Sequence, residues 1–381
     1  MMTKPRLIIY VQNLLGIGHL RRAAGVSRAA VNKGFDVAFV SGGIPINELD
    51  VGGATFHQIP PVRALDGDFK ILVDEKNQPI DDRWRDKRRQ ALLELFDKIQ
   101  PKILLTELFP FGRRQFRFEL IPLLEKAKAA SWQPRVVCSM RDILVTKPRH
   151  DRNLEIAETL DTFYDKILVH GDQNIISLSD TFPLEKRISH LIEYTGYVLT
   201  PEHIGDTGEG GTGEVIVSAG GGAVGYETFP KLFKLRDKVS INNIPWRFVT
   251  GPHMPLEIYK ELKRKESKYA IVERSRPDLP AVIGRATLSI SQAGYNTIAE
   301  ILNSGTPAVV VPYEGGVETE QRLRSDLLAK RSLLQVVDEK KLNAQTLDKA
   351  MCQALKITPP KKLDISLDGA MATSDALWAL L

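Results

Sequence analysis

Three short glycine-containing segments carry the residues of this sequence that could do chemistry. The first reads GIGHLRR over residues 16–22 and follows a strand-like apolar run. Glycines between a strand and a helix leave backbone N–H groups free at the helix N-terminus, where they and the helix dipole stabilise an anion. The imidazole of His19, with an ordinary pKa of about 6.5, can accept a proton at neutral pH. The segment predicts an anion site beside a general base, unless His19 merely caps the loop.

A dinucleotide cofactor is the obvious alternative ligand for this first segment. Its fingerprint needs a third glycine, where this chain has Arg21, and an acidic residue at the end of the second strand. The second strand-like run ends instead in VSGG at 40–43. We therefore do not expect NAD.

The second segment reads SAGGGAVGY at 218–226 and also follows a strand-like run. Three consecutive glycines cost backbone entropy, and close approach of a ligand is the usual reason for them. No Gly-Lys-Ser/Thr follows, so the segment is not a P-loop. It predicts a cradle for a diphosphate, with a tight turn as the alternative.

The third segment is SQAGYNTIAEILNSGTP at 291–307. A strand ends, Gly294 permits close approach, a helix starts near Asn296, and Gly305 helps to end it. Glu300 lies one turn into this helix, at a distance suited to a ribose diol. The polar string ETEQR at 318–322 follows the next strand, at the edge where open α/β sheets bind ligands.

Apolar runs alternate with helical periodicity, which indicates α/β units with parallel sheets. Strands are predicted at 7–11, 36–40, 103–106, 136–139, 166–170, 215–218, 246–250, 270–272, 287–290 and 308–311, and helices at 21–33 and 84–99. The length of 381 residues suits two domains. Their predicted bounds are 1–200, a flexible glycine-rich linker at 201–213, 214–366, and a C-terminal helix at 367–381 that packs back toward the first domain through Leu377, Leu380 and Leu381.

Composition excludes several classes of protein. The net charge of +5 is modest, and no nucleic-acid motif accompanies it. Two basic clusters, at 83–89 and 113–117, fit either a solvated helix face or a surface that faces an acceptor or a membrane. Cys138 and Cys352 have no metal-ligand spacing, and no apolar run is long enough for a signal peptide or a membrane span. We expect a cytoplasmic protein, with peripheral contact with the inner face of a membrane left open.

The three segments together resemble the MurG-like bacterial glycosyltransferases, which carry a glycosyltransferase family 28 C-terminal domain. The string from 291 to 321 is the specific part of this resemblance, whereas the first half is matched by little more than its first loop. The resemblance implies a GT-B fold, in which two Rossmann-like domains face each other across a cleft. It also implies a nucleotide-sugar donor, first of all a UDP-sugar.

The resemblance assigns one set of residues to the donor. Its members are Gly16, Gly18, Gly220, Gly221, Gly222, Ala223, Arg274, Gly294, Asn296, Thr297, Glu300, Glu320 and Gln321. Gly16 and Gly18 would line the cleft beside the donor phosphates and the acceptor. The second glycine segment would contact the diphosphate, and the helix after 294 would point at the phosphates. Glu300 would bind the ribose, and Glu320 with Gln321 would face the sugar. The segment 272–275 would give mainly backbone contacts to the base.

The implied reaction is inverting transfer to an unidentified acceptor, either a small molecule or a lipid-linked one. His19 is the first choice of base. Glu107 and Asp142, both at strand ends, are alternative bases, or they are ion-pair partners of Arg113 or Arg141. No Asp-x-Asp pair lies at a strand end, so neither a metal nor any other cofactor is expected.

Two departures from the family pattern keep other functions open. The family often has Gln-Gln where this chain has Glu320-Gln321, so GlcNAc is not implied as the sugar. The GHLRR form of the first loop is more similar to the related nucleotide-sugar hydrolase of pseudaminic acid synthesis, in which the loop histidine is thought to activate water. A hydrolase or epimerase on the same scaffold is therefore the main alternative, followed by a non-catalytic nucleotide-sugar-binding protein.

Overall fold

The computed structural model describes residues 4–14, 17–46, 49–65, 71–144, 150–199, 206–220, 225–315, 319–357 and 365–381. The chain divides into two compact units, 1–199 together with 366–381, and 200–365. Each unit is built around its own parallel sheet.

The first unit alternates strands and helices. Its strands are β1 (Arg6–Val11), β2 (Asp36–Ser41), β3 (Thr55–Gln58), β4 (Arg63–Ala64), β5 (Leu72–Val73), β6 (Ile103–Glu107), β7 (Arg135–Arg141), β8 (Lys166–His170) and β9 (Ile192–Tyr194). Its helices before the last are α1 (Gly18–Lys33), α2 (Asp82–Ile99), α3 (Arg117–Ala129), α4 (His150–Phe163) and α5 (Glu185–Ile188), with 3₁₀ turns at Arg114–Phe116, Leu178–Asp180 and Ser189–Leu191. Seven strands form a parallel sheet in the order β3-β2-β1-β6-β7-β8-β9, and β4 pairs antiparallel with β5.

Both faces of the first sheet are covered, as its strand sequences require. In β1, Leu7 and Ile9 pack into one apolar cluster while Ile8 and Tyr10 pack into another. Side chains of a strand alternate between faces, so a strand that is apolar at every position must be buried on both sides. The cluster on one side also contains Phe96 of α2.

The second unit repeats this plan. Its strands are β10 (Val215–Ser218), β11 (Trp246–Val249), β12 (Ala270–Glu273), β13 (Leu288–Ser291), β14 (Ala308–Val310) and β15 (Gln335–Val336). Its helices are α6 (Thr228–Leu235), α7 (Leu256–Arg264), α8 (Leu279–Gly284), α9 (Tyr295–Ser304), α10 (Glu320–Lys330) and α11 (Ala344–Ala354), with 3₁₀ turns at Arg236–Lys238 and Glu339–Lys341. The six strands are parallel, in the order β12-β11-β10-β13-β14-β15.

The ten strands predicted from the sequence are confirmed, each to within two residues at either end. The predicted end of α9 is also confirmed, because Gly305 caps it with φ of 67° and donates its N–H to the carbonyl oxygen of Ile301. The sequence analysis missed β3, β4, β5, β9 and β15. These strands are half-buried or exposed, or only two residues long, so they lack the continuous apolar run that marks a central strand.

The last helix, α12 (Gly369–Trp378), belongs to the first unit. It packs on α1, where Trp378 meets Phe35 edge-on with ring centroids 5.1 Å apart and Asp375 pairs with Lys33 at 2.6 Å. Leu377 is fully buried, but Leu381 is exposed, so the expectation that Leu381 packs inward is wrong.

The surroundings of Arg88 and of the predicted linker differ from those predicted. Arg88, expected on a basic surface, is completely buried, and its guanidinium donates to both carboxylate oxygens of Glu119 at 2.8 and 2.7 Å. The described part of the predicted linker, 206–213, belongs to the second unit and is held by contacts within it. There Asp206 pairs with Arg285 at 2.9 Å, and Gly211 donates its N–H to Glu214 at 2.8 Å.

Candidate active site

The strand order of the first sheet creates a place where a ligand can bind. From β1 the chain continues into β2 on one side, whereas β6 lies on the other side of β1. The loops leaving the carboxyl ends of β1 and β6 therefore run in opposite directions and leave a crevice between them. The first glycine-containing segment follows β1, and Glu107 is the last residue of β6. Topology alone thus brings the predicted base and one alternative base to the same point.

Helix α1 aims two side chains at that point. Gly18 is its first residue, and His19 and Arg22, three residues apart, lie on the same face one turn apart. His19 Nδ1 lies 2.7 Å from Glu107 Oε1, and Arg22 Nη2 donates to the same oxygen. Arg22 Nη2 also lies 3.2 Å from His19 Nδ1. The sequence analysis did not select Arg22 as a site residue. Its position three residues after His19, on the same face of the helix, was the signal that could have identified it.

Glu107 is ionised in this setting. Its side chain is 1% exposed, and burial by itself would raise its pKa. The hydrogen bond from His19, the charge of Arg22 and a further contribution from Arg113 outweigh burial and hold the pKa of Glu107 well below its usual range. A carboxylate held this firmly in the charged form is a poor proton acceptor. Glu107 is therefore better suited to orient His19 than to act as the base itself.

The Glu107 carboxylate also fixes the tautomer of His19. A carboxylate can only accept a hydrogen bond, so Nδ1 carries the hydrogen and Nε2 keeps the lone pair. Burial lowers the pKa of His19; Glu107 opposes this effect and the positive charge of Arg113 adds to it. His19 is consequently neutral at pH 7, and its side chain is 15% exposed. Glu107 orients the imidazole, and the partly exposed side chain can present the Nε2 lone pair to a hydroxyl group.

Two further arginines, Arg113 and Arg141, lie near this pair, and Asp142 directly follows Arg141 in the chain. Arg113 Nη2 lies 4.0 Å from Glu107 Oε2, and the charges of Arg113 and Arg141 both act on His19. Asp142 follows β7 directly and is completely buried, and it accepts a 3.5 Å hydrogen bond from the hydroxyl of Tyr197. The structure therefore joins His19 and Glu107 directly, whereas the role of Asp142 as a base stays a prediction.

The second sheet has the same kind of crevice, between β10 and β13. From β10 the chain continues into β11, and β13 lies on the other side of β10. Gly220, just after β10, has φ of 56°, and a Cβ placed there would lie 3.7 Å from Thr297 Oγ1. Two segments that are 77 residues apart, and that were both assigned to a diphosphate, therefore meet at the edge of the sheet. Gly16, Gly221, Gly222 and Ala223 lie outside the described residues.

The N-terminus of α9 has space beside it within the described part of the chain. Gly294 precedes the helix in an extended conformation, with no side chain capping it, and a Cβ placed on Gly294 would meet nothing within 4 Å. Asn296 and Glu300 are four residues apart and are both partly exposed, whereas Ile298 faces the core. Within the described residues, the helix thus presents a polar face next to the space at Gly294, an arrangement that suits an anionic ligand.

Two buried serines were not singled out by the sequence analysis. Ser218 ends β10, Ser291 ends β13, and the two are paired in the sheet register. Among the described residues, neither hydroxyl has a hydrogen-bond partner. The two serines end the strands on either side of the crevice, and Gly220 follows two residues after Ser218.

The side chain of Gln321 links two loops at the edge of the second sheet through hydrogen bonds. Its Oε1 accepts hydrogen bonds from the backbone N–H groups of Ala293 and Tyr313, each at 3.1 Å. Arg324, one turn later, donates to the carbonyl oxygen of Ala293 at 2.9 Å. Gln321 therefore ties the loops after β13 and β14 together. Glu320 is 2% exposed, and contact of either side chain with a sugar stays a prediction.

Arg274 follows β12 at the same edge of the second sheet. Its guanidinium lies over the ring of Tyr259, 5.1 Å from the centroid, and donates to the carbonyl oxygen of Pro252 at 2.8 Å. These contacts fix the side chain beside the segment that was assigned to the nucleotide base. Within the described ranges, no three His, Cys, Asp or Glu side chains gather as metal ligands. No helix in the same ranges has the length and apolar character to cross a membrane.

Comparison with known proteins supports the second unit most directly. Residues 227–362 match the family model of the glycosyltransferase family 28 C-terminal domain. A UDP-N-acetylglucosamine--N-acetylmuramyl-(pentapeptide) pyrophosphoryl-undecaprenol N-acetylglucosamine transferase from Anaplasma marginale is 32% identical over 138 residues, which is 35% of this chain and 39% of that protein. The protein of the same name from Natranaerobius thermophilus is 36% identical over 74 residues, 19% of this chain and 20% of that protein. The chain thus spans well under half the length of these curated relatives.

Solved structures match the whole chain at low identity. MurG of Acinetobacter baumannii superposes with a TM-score of 0.62 at 15% identity, covering 98% of this chain and 100% of that one. The spinosyn rhamnosyltransferase SpnG in complex with thymidine diphosphate also gives a TM-score of 0.62 at 15% identity, covering 98% and 96%. These similarities confirm the predicted α/β fold of the GT-B type.

Proposed function

We propose that this protein, whose second unit carries a glycosyltransferase family 28 C-terminal domain, is a glycosyltransferase that uses a nucleotide diphosphate sugar. The observation that carries the proposal is the family match over 227–362, because it includes α9, α10 and the loops that meet at the second crevice. The relatives matched there are named as UDP-N-acetylglucosamine transferases, which supports a UDP-sugar as donor.

The proposed mechanism divides the work between the two crevices. His19 Nε2 takes the proton from an acceptor hydroxyl as its oxygen attacks the anomeric carbon. The bond from that carbon to the diphosphate oxygen breaks, and the configuration at the carbon inverts. Charge on the leaving diphosphate is stabilised by the N–H groups at the start of α9 and needs no metal ion. Glu107 holds the imidazole in the productive tautomer.

The test measures release of UDP from UDP-GlcNAc and other UDP-sugars, with and without candidate acceptors. We expect release to depend on an acceptor and to proceed unchanged after treatment with a chelator. Anomeric analysis of the product by NMR should show inversion. Retained configuration would contradict the mechanism, and a lack of binding to every nucleotide sugar in a thermal-shift screen would contradict the proposal as a whole.

A nucleotide-sugar hydrolase is the second candidate, and the first loop favours it. The neutral His19 could take a proton from water as readily as from a hydroxyl group, and GHLRR is the loop form noted above for a hydrolase. Full-rate release of the sugar into water, unaffected by any acceptor, would support this candidate and exclude the transferase. A change of sugar stereochemistry without release of the nucleotide would indicate an epimerase.

The proposal also names a class of acceptor and a cellular location. The acceptor is a small molecule or a lipid-linked one. Cys138 and Cys352 are both free thiols, which supports a reducing compartment such as the cytoplasm. Contact with the inner face of a membrane is testable by flotation with anionic vesicles.

A further inference from the structure

A second buried histidine, His170, lies on the same face of the first sheet as Glu107. Glu107 and Ser139 are neighbours in the register of β6 and β7. In the same way, Arg141 and His170 are neighbours in the register of β7 and β8. Register neighbours share a face of the sheet, and so do residues two apart on a strand. Glu107, Ser139 and His170 therefore form one polar row across three strands, and the mechanism proposed above does not use His170.

Hydroxyl groups hold the His170 ring at both of its nitrogens. Its Nε2 lies 2.7 Å from Ser139 Oγ. Its Nδ1 lies 2.9 Å from Thr195 Oγ1 and 3.4 Å from Thr373 Oγ1. Both threonine hydroxyls donate to backbone carbonyl oxygens, at 3.4 and 2.6 Å, so their oxygens can only accept from the ring. Because burial lowers the pKa of His170 to about 3, the ring is neutral at pH 7, with the hydrogen on Nδ1, and Ser139 donates to Nε2.

Ser139 is the link between this ring and Glu107. Its carbonyl oxygen accepts a 2.7 Å hydrogen bond from the N–H of Leu108, the residue after Glu107. Leu108 has φ of 66°, a conformation that few residues other than glycine adopt, so the turn after Glu107 depends on such contacts. The charges of Arg22 and Glu107 also act on the pKa of His170, in opposite directions, so the ring lies within electrostatic reach of both. We expect a shift of Ser139 to displace Glu107.

We propose that His170 is a positioning residue for the pair formed by His19 and Glu107. The His170 ring fixes Ser139 at the carboxyl end of β7, and Ser139 fixes the turn that follows Glu107. Helix α12 takes part as well, because Thr373 contacts the ring at its other nitrogen. The inference rests on the proposed function, since it assigns these residues a part in the same proton transfer.

Four variants separate the contacts of the ring. His170→Gln keeps an acceptor oxygen near the position of Nε2, so the Ser139 contact can persist, whereas His170→Asn ends near the position of Nδ1 and loses that contact. Thr373→Val removes only the hydroxyl that α12 supplies. Ser374→Ala is the matched control, because Ser374 is the next residue of α12, is also buried and donates instead to the carbonyl oxygen of Ala29.

The experiment observes the His19 ring by nitrogen NMR of the full-length protein with labelled histidines, and His19→Gln identifies its signal. In the wild-type protein the Nδ1 hydrogen, bonded to the buried Glu107 carboxylate, should exchange slowly with water. We expect His170→Asn to lose this protection, His170→Gln to keep most of it, Thr373→Val to reduce it and Ser374→Ala to leave it unchanged. In the same variants, kcat for acceptor-dependent release of UDP should follow the NMR signal, with a fall of about tenfold or more in His170→Asn and a constant KM for the donor.

The remaining outcomes overturn the inference or the proposed function separately. An unchanged His19 signal in His170→Asn would show that His170 does not position the pair. Equal losses in His170→Gln and His170→Asn, or a loss in Ser374→Ala, would assign the effect to general packing. Circular dichroism shows whether each variant is folded; if His170→Asn is not, an unchanged signal in Thr373→Val overturns the inference in its place. A lack of turnover with every nucleotide sugar would contradict the proposed function, while the NMR result would still decide whether His170 positions His19.

Discussion

The two units place a crevice at the same topological position but fill it with different residues. In the first unit, the crevice between β1 and β6 holds a buried cluster of His19, Glu107 and arginines. In the second unit, the crevice between β10 and β13 is bordered by Gly220, by two strands that end in serine, and by the N-terminus of α9. Strand order therefore fixes where a ligand can approach, whereas the residues of the loops decide what happens there. Ionisable groups suit proton transfer, and fixed dipoles suit the holding of an anion.

The largest expected effect separates the two crevices by kinetics. His19→Ala removes the proposed base, so kcat should fall about 10²- to 10⁴-fold while the KM for the donor stays nearly constant. Glu300→Ala removes a proposed contact to the ribose on the partly exposed side of α9, and should mainly raise the KM for the donor. Steady-state kinetics with a UDP-sugar and a working acceptor measure both values. His190→Ala, at an exposed position in the first unit, is the control.

The opposite kinetic pattern would contradict the assignment of proton transfer to the first crevice and donor binding to the second. If His19→Ala raised only the donor KM while Glu300→Ala lowered only kcat, the first crevice would be a binding site and the base would lie elsewhere. Asp142 would then be the next residue to change, because it is buried at the end of the neighbouring strand β7.

Some elements of each unit could be predicted from the sequence and others could not, for physical reasons. Central strands and the α9 segment could be predicted because apolar runs, glycines and a capping Gly305 are local signals. The contact of His19 with Glu107 could not, because these residues are 88 positions apart and only the pairing of β1 with β6 joins them. Gln321 shows the same limit, since its two backbone partners belong to loops that the sequence does not reveal as neighbours.

An intermediate effect concerns stability in acid. His170, at the end of β8, is completely buried between Ser139 and Thr195, and burial lowers its pKa to about 3. The folded state therefore binds fewer protons than the unfolded state, so stability is complete above about pH 6.5 and falls as the pH drops below it. By pH 5 the loss from His170 should be about 2 kcal/mol. His19, whose pKa is also lowered, changes stability in the same direction.

The second unit should resist the same change of pH. The lowered pKa values of Glu214 and Asp278 reduce its stability only below about pH 4.5. Hydrogen exchange by mass spectrometry between pH 7 and 5, corrected for intrinsic rates, should show loss of protection in β8 before β13. His170→Gln should flatten the pH dependence of the first unit. Equal loss in both units, or no change in this variant, would assign the acid response to other groups.

The smallest expected effect tests whether the open space at α9 is a ligand site. Gly294 has φ of −61°, which alanine adopts freely, and a Cβ there would touch nothing within 4 Å. Gly294→Ala should therefore leave the melting temperature unchanged. It should nevertheless weaken donor binding about tenfold, or about 1.4 kcal/mol, because the methyl group would occupy space that the diphosphate needs. Gly284→Ala is the control. Gly284 lies in α8, away from the proposed diphosphate site, and a Cβ there would make an ordinary contact with Ser304 at 3.6 Å. Calorimetric titration with UDP decides the question: unchanged affinity in Gly294→Ala would show that the N-terminus of α9 does not approach the diphosphate.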